Sequence, residues 1–140
     1  MAEQLRILLA DDNGSVLRYV QGMLQKDFQI VGALREGQSV LQQAPVLNPD
    51  LIVLDISMGE SNGFDVAREL RARKCTSKII FLSVHQEFEF IQAAFDVGAS
   101  GYVFKSRLHK DLPEAIDSVT KGKIFVPRAD DTLEATAGQP

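Results

Sequence analysis

Two patterns alternate along this chain. Short apolar, β-rich runs are separated by longer stretches in which apolar residues recur three and four positions apart. That rhythm demands βα units. The run Leu51-Ile52-Val53-Leu54 is apolar at every position, so both of its faces need cover, as in a central parallel strand with helices on either side. A first strand is expected at Leu5 to Ala10, closed by the turn Asp11-Asp12-Asn13-Gly14. Ser15 then suits the N-cap of a helix running to about Lys26, with Val16, Leu17, Val20, Met23 and Leu24 as its buried stripe. A second strand follows at Gln29 to Leu34 and a short helix at Gln38 to Gln43, with Pro45 and Pro49 bracketing the next loop. After the strand that ends at Asp55 come a loop over Ile56 to Asn62, a helix over Gly63 to Ala72 and a strand over Lys78 to Leu82. A helix over Glu87 to Val97, a turn at Gly98 to Gly101, a strand over Tyr102 to Phe104 and a helix over Lys110 to Lys121 complete the series.

Five strands joined by five helices predict an α/β fold: a doubly wound (βα)5 parallel sheet of the flavodoxin-like type, strand order 2-1-3-4-5. A chain of 140 residues suits one such domain, over residues 1–127. The acids, alanines, glycine and proline of residues 128–140 read as a linker or disordered tail. Hydrophobic residues make up 45% and charged residues 24%, which is enough apolar surface for a packed core. A net charge of -4 argues against direct nucleic-acid binding, which needs a basic face to neutralise phosphates. MAEQLRILLADD lacks the basic-then-apolar pattern of an export signal, and the apolar runs are too short to span a bilayer, so no membrane association is expected. The single cysteine, Cys75, has no disulfide partner and sits in a polar stretch that suggests an exposed loop. A reducing cytoplasm fits.

In an open α/β sheet the ligand site lies beyond the carboxyl ends of the strands. Strand one delivers Asp11 and Asp12 there, strand three Asp55, strand four Ser83 and strand five Lys105. Each has an ordinary reading by itself: Asp11 and Asp12 as turn and cap residues, Asp55 as a turn acid, Ser83 as a neutral hydroxyl, Lys105 as a surface lysine. Their joint placement is what carries meaning. Three carboxylates brought within a few ångströms repel one another and require a proton or a cation, and an all-oxygen set of this kind favours Mg²⁺. His85 and His109 lack a suitably spaced third ligand for a metal. Phe88, Phe90 and Phe95 have the spacing of core residues, and Glu87 and Glu89 that of a solvated face.

With LLADDN, VLDISMGESNG, FLSVH and GASGYVFKS at those strand ends, the sequence resembles the receiver domain of bacterial two-component response regulators from about Leu5 to Pro127. GASGYVFKS and the closing KGKIFVP are most similar to receivers attached to LuxR/NarL-type helix-turn-helix outputs. The resemblance implies that Asp55 accepts a phosphoryl group from a sensor histidine kinase or a small donor such as acetyl phosphate. It implies Mg²⁺ held by Asp12, Asp55 and the main-chain carbonyl of Ser57, with Asp11 acting through water. Lys105 would pair with the phosphoryl oxygens, Ser83 would bond one of them, and Tyr102 would change rotamer as the switch. It further implies a homodimer formed on phosphorylation and a transcriptional output domain beyond this sequence.

Three positions depart from the family's usual pattern. Gly59 stands where proline commonly follows Met58 and is expected to loosen the loop. Val84 replaces a small residue after Ser83 and is expected to narrow entry to Asp55. Ser106 replaces the proline after Lys105, as this subgroup often does. The alternative function is a receiver-like interaction module that works without phosphorylation. A phosphatase of the haloacid dehalogenase type would want a second acid where Ser57 stands, and an FMN carrier would not tolerate so acidic a first loop.

Overall fold

A computed structural model describes residues 4–128 of the chain. Numbering only the strands of the main sheet, it contains β1 (Arg6–Ala10), α1 (Gly14–Leu24), β2 (Gln29–Leu34), α2 (Gly37–Leu47), β3 (Leu51–Asp55) and α3 (Gly63–Ala72). β4 (Lys78–Ser83), α4 (Phe88–Asp96), β5 (Gly101–Phe104), a 3₁₀ turn at Lys105–Arg107 and α5 (Leu108–Thr120) follow. All neighbouring strands are parallel, in the order 2-1-3-4-5. The expected doubly wound sheet is therefore present.

Alternate residues of each central strand feed opposite layers, because side chains point to opposite faces of a sheet. Ile52 and Leu54 join Val40 and Ala44 of α2, Phe64, Val66, Ala67 and Leu70 of α3, and Ile91 and Ala94 of α4. Leu51 and Val53 join Leu17, Val20 and Leu24 of α1 and Leu112, Ala115, Ile116 and Val119 of α5. Each large aliphatic buried in these layers contributes about 1.5–3 kcal/mol.

Several boundaries differ from the sequence expectation for identifiable reasons. The N-cap of α1 is Asn13, not Ser15: its Oδ1 accepts from the amides of Ser15 and Val16 at 2.9 and 3.2 Å. α2 runs on through Pro45 to Leu47, rather than stopping near Gln43. A proline there deprives the Leu41 carbonyl of its i+4 amide. Arg73 Nη1 donates to that carbonyl at 3.3 Å, and Asn48 closes the helix in the left-handed region at φ 47°. α5 begins at Leu108, continuing from the 3₁₀ turn. Arg107 clamps Asp111 through Nε and Nη2 at 2.9 and 3.3 Å, joining that turn to the helix.

Phe88 is 49% exposed and not in the core, whereas Phe90 and Phe95 pack against it. As the first residue of α4, Phe88 precedes the stripe defined by Ile91 and Ala94. Cys75 is half-buried against the α3 layer rather than exposed. Beyond α5 the chain returns to the free edge of β5: the Phe125 amide donates to Ser100 at 2.9 Å, and its carbonyl accepts from Tyr102 at 3.1 Å. The proposed tail lies outside the described residues from 129 onward.

Candidate functional site

The register of the sheet brings the strand ends into line. Ala10 pairs with Leu54, so Asp11 lies beside Asp55; Asp55 pairs with Leu82, so Ser83 is one step further; Ser83 pairs with Phe104, so Lys105 follows. Asp11, Asp55 and Lys105 meet directly. Lys105 Nζ is 2.9 Å from Asp11 Oδ2 and 3.2 Å from Asp55 Oδ1. Asp55 is 2% exposed. Its Oδ1 also accepts from the Ser57 amide at 3.2 Å, while its buried Oδ2 has no hydrogen-bond partner among the described residues. Asp11 Oδ1 accepts from the Asn13 amide at 2.9 Å, so the residue that caps α1 also orients an acid of the site.

Asp12 completes the acidic group from an exposed position: one carboxylate oxygen from each of Asp11, Asp12 and Asp55 lies within 4.8 Å of the other two. One ammonium cannot balance three carboxylates, and the unpartnered Asp55 Oδ2 remains available as a ligand. This donor set fits a hard divalent cation. The electrostatics agree. Burial, and then the charge of Asp11, push the Asp55 carboxyl up to about 7, against the opposing pull of Lys105 and the Ser57 amide. Burial is the largest single influence on Lys105 and works downward, but its hydrogen bonds and charge interactions with Asp11 and Asp55 together hold the ammonium above its ordinary value.

The loop after Asp55 is more ordered than its composition suggests. Ser57–Met58 and Ser61–Asn62 form a small antiparallel ribbon around Gly59, whose φ of +63° is closed to proline. A positive φ at the first of two loop residues is the type II′ hairpin pattern. Gly59 is thus a turn-forming residue here, a role that the expectation of a looser loop did not include. Gly63 makes the return possible: its amide donates to the Ile56 carbonyl at 2.6 Å, and a Cβ would stand 2.4 Å from the main-chain oxygen of Asp55.

Ser83 and Tyr102 share an intermediary. Ser83 Oγ accepts from the His85 amide at 2.9 Å, and Tyr102 Oη donates to the His85 carbonyl at 2.8 Å. Tyr102 is fully buried. Burial and the charge of Glu87 push its phenol up to about 12, opposed by the Ser83 hydroxyl. Tyr102 is thus inside the core with its hydroxyl engaged, and a change of rotamer would have to break its bond to the His85 carbonyl. The His85 ring stacks on Phe90 at 4.0 Å, with its Nδ1 3.8 Å from Glu87, and Val84 is 68% exposed. Asn13, Gly63 and the linking role of His85 escaped the sequence reading. The only available signals were the competition of Asn13 with Ser15 for the cap and the glycine that opens α3.

Comparisons with known proteins identify the family and the fold. The family model of the response regulator receiver domain matches residues 7–117. The transcriptional regulatory protein YvfU of Bacillus subtilis (strain 168) is 32% identical over 126 residues, covering 88% of this chain and 63% of that protein. The nitrate/nitrite response regulator protein NarL of Escherichia coli (strain K12) is 30% identical over 129 residues, covering 91% and 60%. The chain thus spans about three fifths of the length of these curated relatives. Among solved structures, the isolated receiver domain of RcsB from Salmonella enterica serovar Typhimurium, with the phosphomimetic BeF3-, superposes with a TM-score of 0.82 at 24% identity, over 90% of this chain and 95% of that one. The receiver domain of the response regulator NarL from Mycobacterium tuberculosis gives 0.82 at 24%, over 87% and 100%. No helix among the described residues is long and apolar enough to cross a membrane. With most of its length matched and NarL among its relatives, the chain belongs to the response regulator receiver domain family.

Proposed function

We propose that this chain is a cytoplasmic phosphorylation switch in two-component signalling, in which Asp55 takes a phosphoryl group from a sensor histidine kinase. The observation that carries the reading is the buried strand-end carboxylate of Asp55, with one oxygen held by Lys105 and Ser57 and the other left unpartnered beside two more acids. In the transfer, an Asp55 oxygen forms a bond to phosphorus as the bond to the donor's imidazole nitrogen breaks and that nitrogen keeps the electron pair. The protein's share is positioning and charge neutralisation. Asp12, Asp55 and the main-chain carbonyl of Ser57 would hold Mg²⁺, with Asp11 contributing through water. When bound there, the cation offsets the carboxylates and the incoming phosphoryl charge. Lys105, now paired with Asp11 and Asp55, would turn its ammonium to the phosphoryl oxygens, and Ser83 would donate its hydroxyl to one of them.

The result is a signalling module, not an enzyme that turns over a small substrate of its own. Its output would be transcriptional, through a phosphorylation-dependent homodimer, as the names of its relatives as transcriptional regulators support. Intact-mass measurement after incubation with Mg²⁺ and acetyl phosphate tests the chemistry. One added phosphoryl group is expected on the parent and none on Asp55→Ala. An unchanged parent mass, or equal labelling of the variant, would overturn the assignment.

A further inference from the structure

Two guanidinium groups meet over the first turn of α1, on residues with no part in the phosphoacceptor chemistry. Arg35, from the loop between β2 and α2, donates to the main-chain oxygen of Asp12 through Nη2 at 2.9 Å and Nε at 3.3 Å. Arg18, one turn into α1, reaches the Ser15 hydroxyl through Nη2 at 3.5 Å. Gly14 lies between them: a Cβ there would stand 3.4 Å from Arg18 Nη1 and 3.5 Å from Arg35 Nη1, so both cations close over a bare Cα. Neither guanidinium is paired with a carboxylate of the described residues. Asn13 Oδ1 accepts from Ser15 and Val16 and leaves the Gly14 amide without a hydrogen-bond partner among the described residues.

Like charges held this close repel, and an anion shared between them relieves the repulsion. With Arg35 Nε and Nη2 given to Asp12 and Arg18 Nη2 to Ser15, the donors left facing Gly14 are Arg18 Nη1 and Arg35 Nη1, which together with the Gly14 amide can serve the several oxygens of a tetrahedral oxyanion. Both arginines are exposed, and Arg35 is bonded to the loop that carries Asp11 and Asp12, so the site opens to solvent at the rim of the acidic pocket. A dianion approaching three carboxylates is repelled unless cationic groups at the entrance offset the field. We propose that Arg18, Arg35 and the Gly14 amide form an anion site for the phosphate dianion of a small-molecule phosphodonor on its way to Asp55. Its role in delivery rests on the phosphoacceptor reading; its binding of phosphate does not.

Titration of the full 140-residue chain with inorganic phosphate, followed through backbone amide chemical shifts, reads the site directly. Saturable movement of the Gly14 and Ser15 amides is expected, weakened about tenfold in the double variant R18Q/R35Q with the shifts of the β3 and β4 core unchanged. The same variant should take acetyl phosphate onto Asp55 several-fold more slowly than the parent at low salt and converge with it at high salt. Absence of movement at Gly14, or movement that survives in the double variant, overturns the site. Equal acetyl phosphate rates at low salt overturn its delivery role. A parent that binds phosphate at Gly14 but never gains mass at Asp55 would sink the phosphoacceptor reading and leave the anion site standing.

Discussion

At Asp55, burial and Asp11 make the protonated form easier to hold than in the unfolded chain, where a carboxyl has its ordinary value of 3.8. Because the folded value is raised to about 7, the native state binds the proton more tightly, and stability falls as pH rises from about 4 to about 7. Asp55→Asn removes this cost. The variant should match the parent near pH 4 and exceed it by about 1–3 kcal/mol at pH 8 without divalent cation, as read from urea midpoints. A gain that is the same at both pH values would mean that the Asp55 charge is not its source. Gly63 is constrained by space. A methyl group 2.4 Å from the Asp55 carbonyl oxygen meets main chain on a central strand, so Gly63→Ala should cost about 2 kcal/mol or more and disturb the Ser57 amide signal. A stability within about 0.5 kcal/mol of the parent would show that the loop can yield.

At the scale of elements, the sequence was most legible where a pattern repeats. β3 announces itself by four apolar residues and a closing acid, and α3 matches its expected bounds at both ends, because each has a full period to read. Register then follows from parallel pairing, which is why all five strand-end residues could be assigned to one edge before any distance was known. What stayed hidden lacks periodicity. The Ser57 to Asn62 ribbon has two residues per strand, and the edge pairing of Phe125 is a single bridge. Where α2 continues through Pro45, the Leu41 carbonyl is met by Arg73, 32 residues away. A local reading of proline had no access to that partner. Arg73→Ala should therefore loosen the end of α2. Exchange of the Asn48 amide, which donates to the Ala44 carbonyl at 2.8 Å, is expected to accelerate several-fold while amides in β3 keep their protection. Unchanged Asn48 exchange would mean that solvent serves the Leu41 carbonyl equally well.

For the molecule as a whole, the question is how chemistry at one sheet edge reaches a surface another protein can read. On the proposed phosphoacceptor reading, a phosphoryl group on Asp55 would add about -1.5 to -2 charges and three acceptor oxygens beside Lys105 and Ser83. Ser83 Oγ now accepts from the His85 amide, and Tyr102 holds the carbonyl of the same residue, so His85 is gripped from both ends of its main chain. Its ring lies flat on Phe90, the third residue of α4. Drawing Ser83 toward a phosphoryl oxygen would release the amide end, and the His85 to Phe90 stack would pass that displacement to α4. Tyr102, already buried, would then act as a tether whose bond must be remade rather than as a plug entering empty space. A swing from 1:99 to 99:1 between two such arrangements needs about 5.5 kcal/mol of differential affinity, which the new charge must supply through Lys105 and Ser83 together. Ser83→Ala keeps the acceptor and the ammonium but removes the hydroxyl that moves. It should still gain one phosphoryl group by mass, while sedimentation velocity shows most of the parent's phosphorylation-dependent self-association lost. If phosphorylated Ser83→Ala associates as the phosphorylated parent does, the signal leaves Asp55 by a route that bypasses His85, and Lys105 with the 3₁₀ turn below it becomes the place to look.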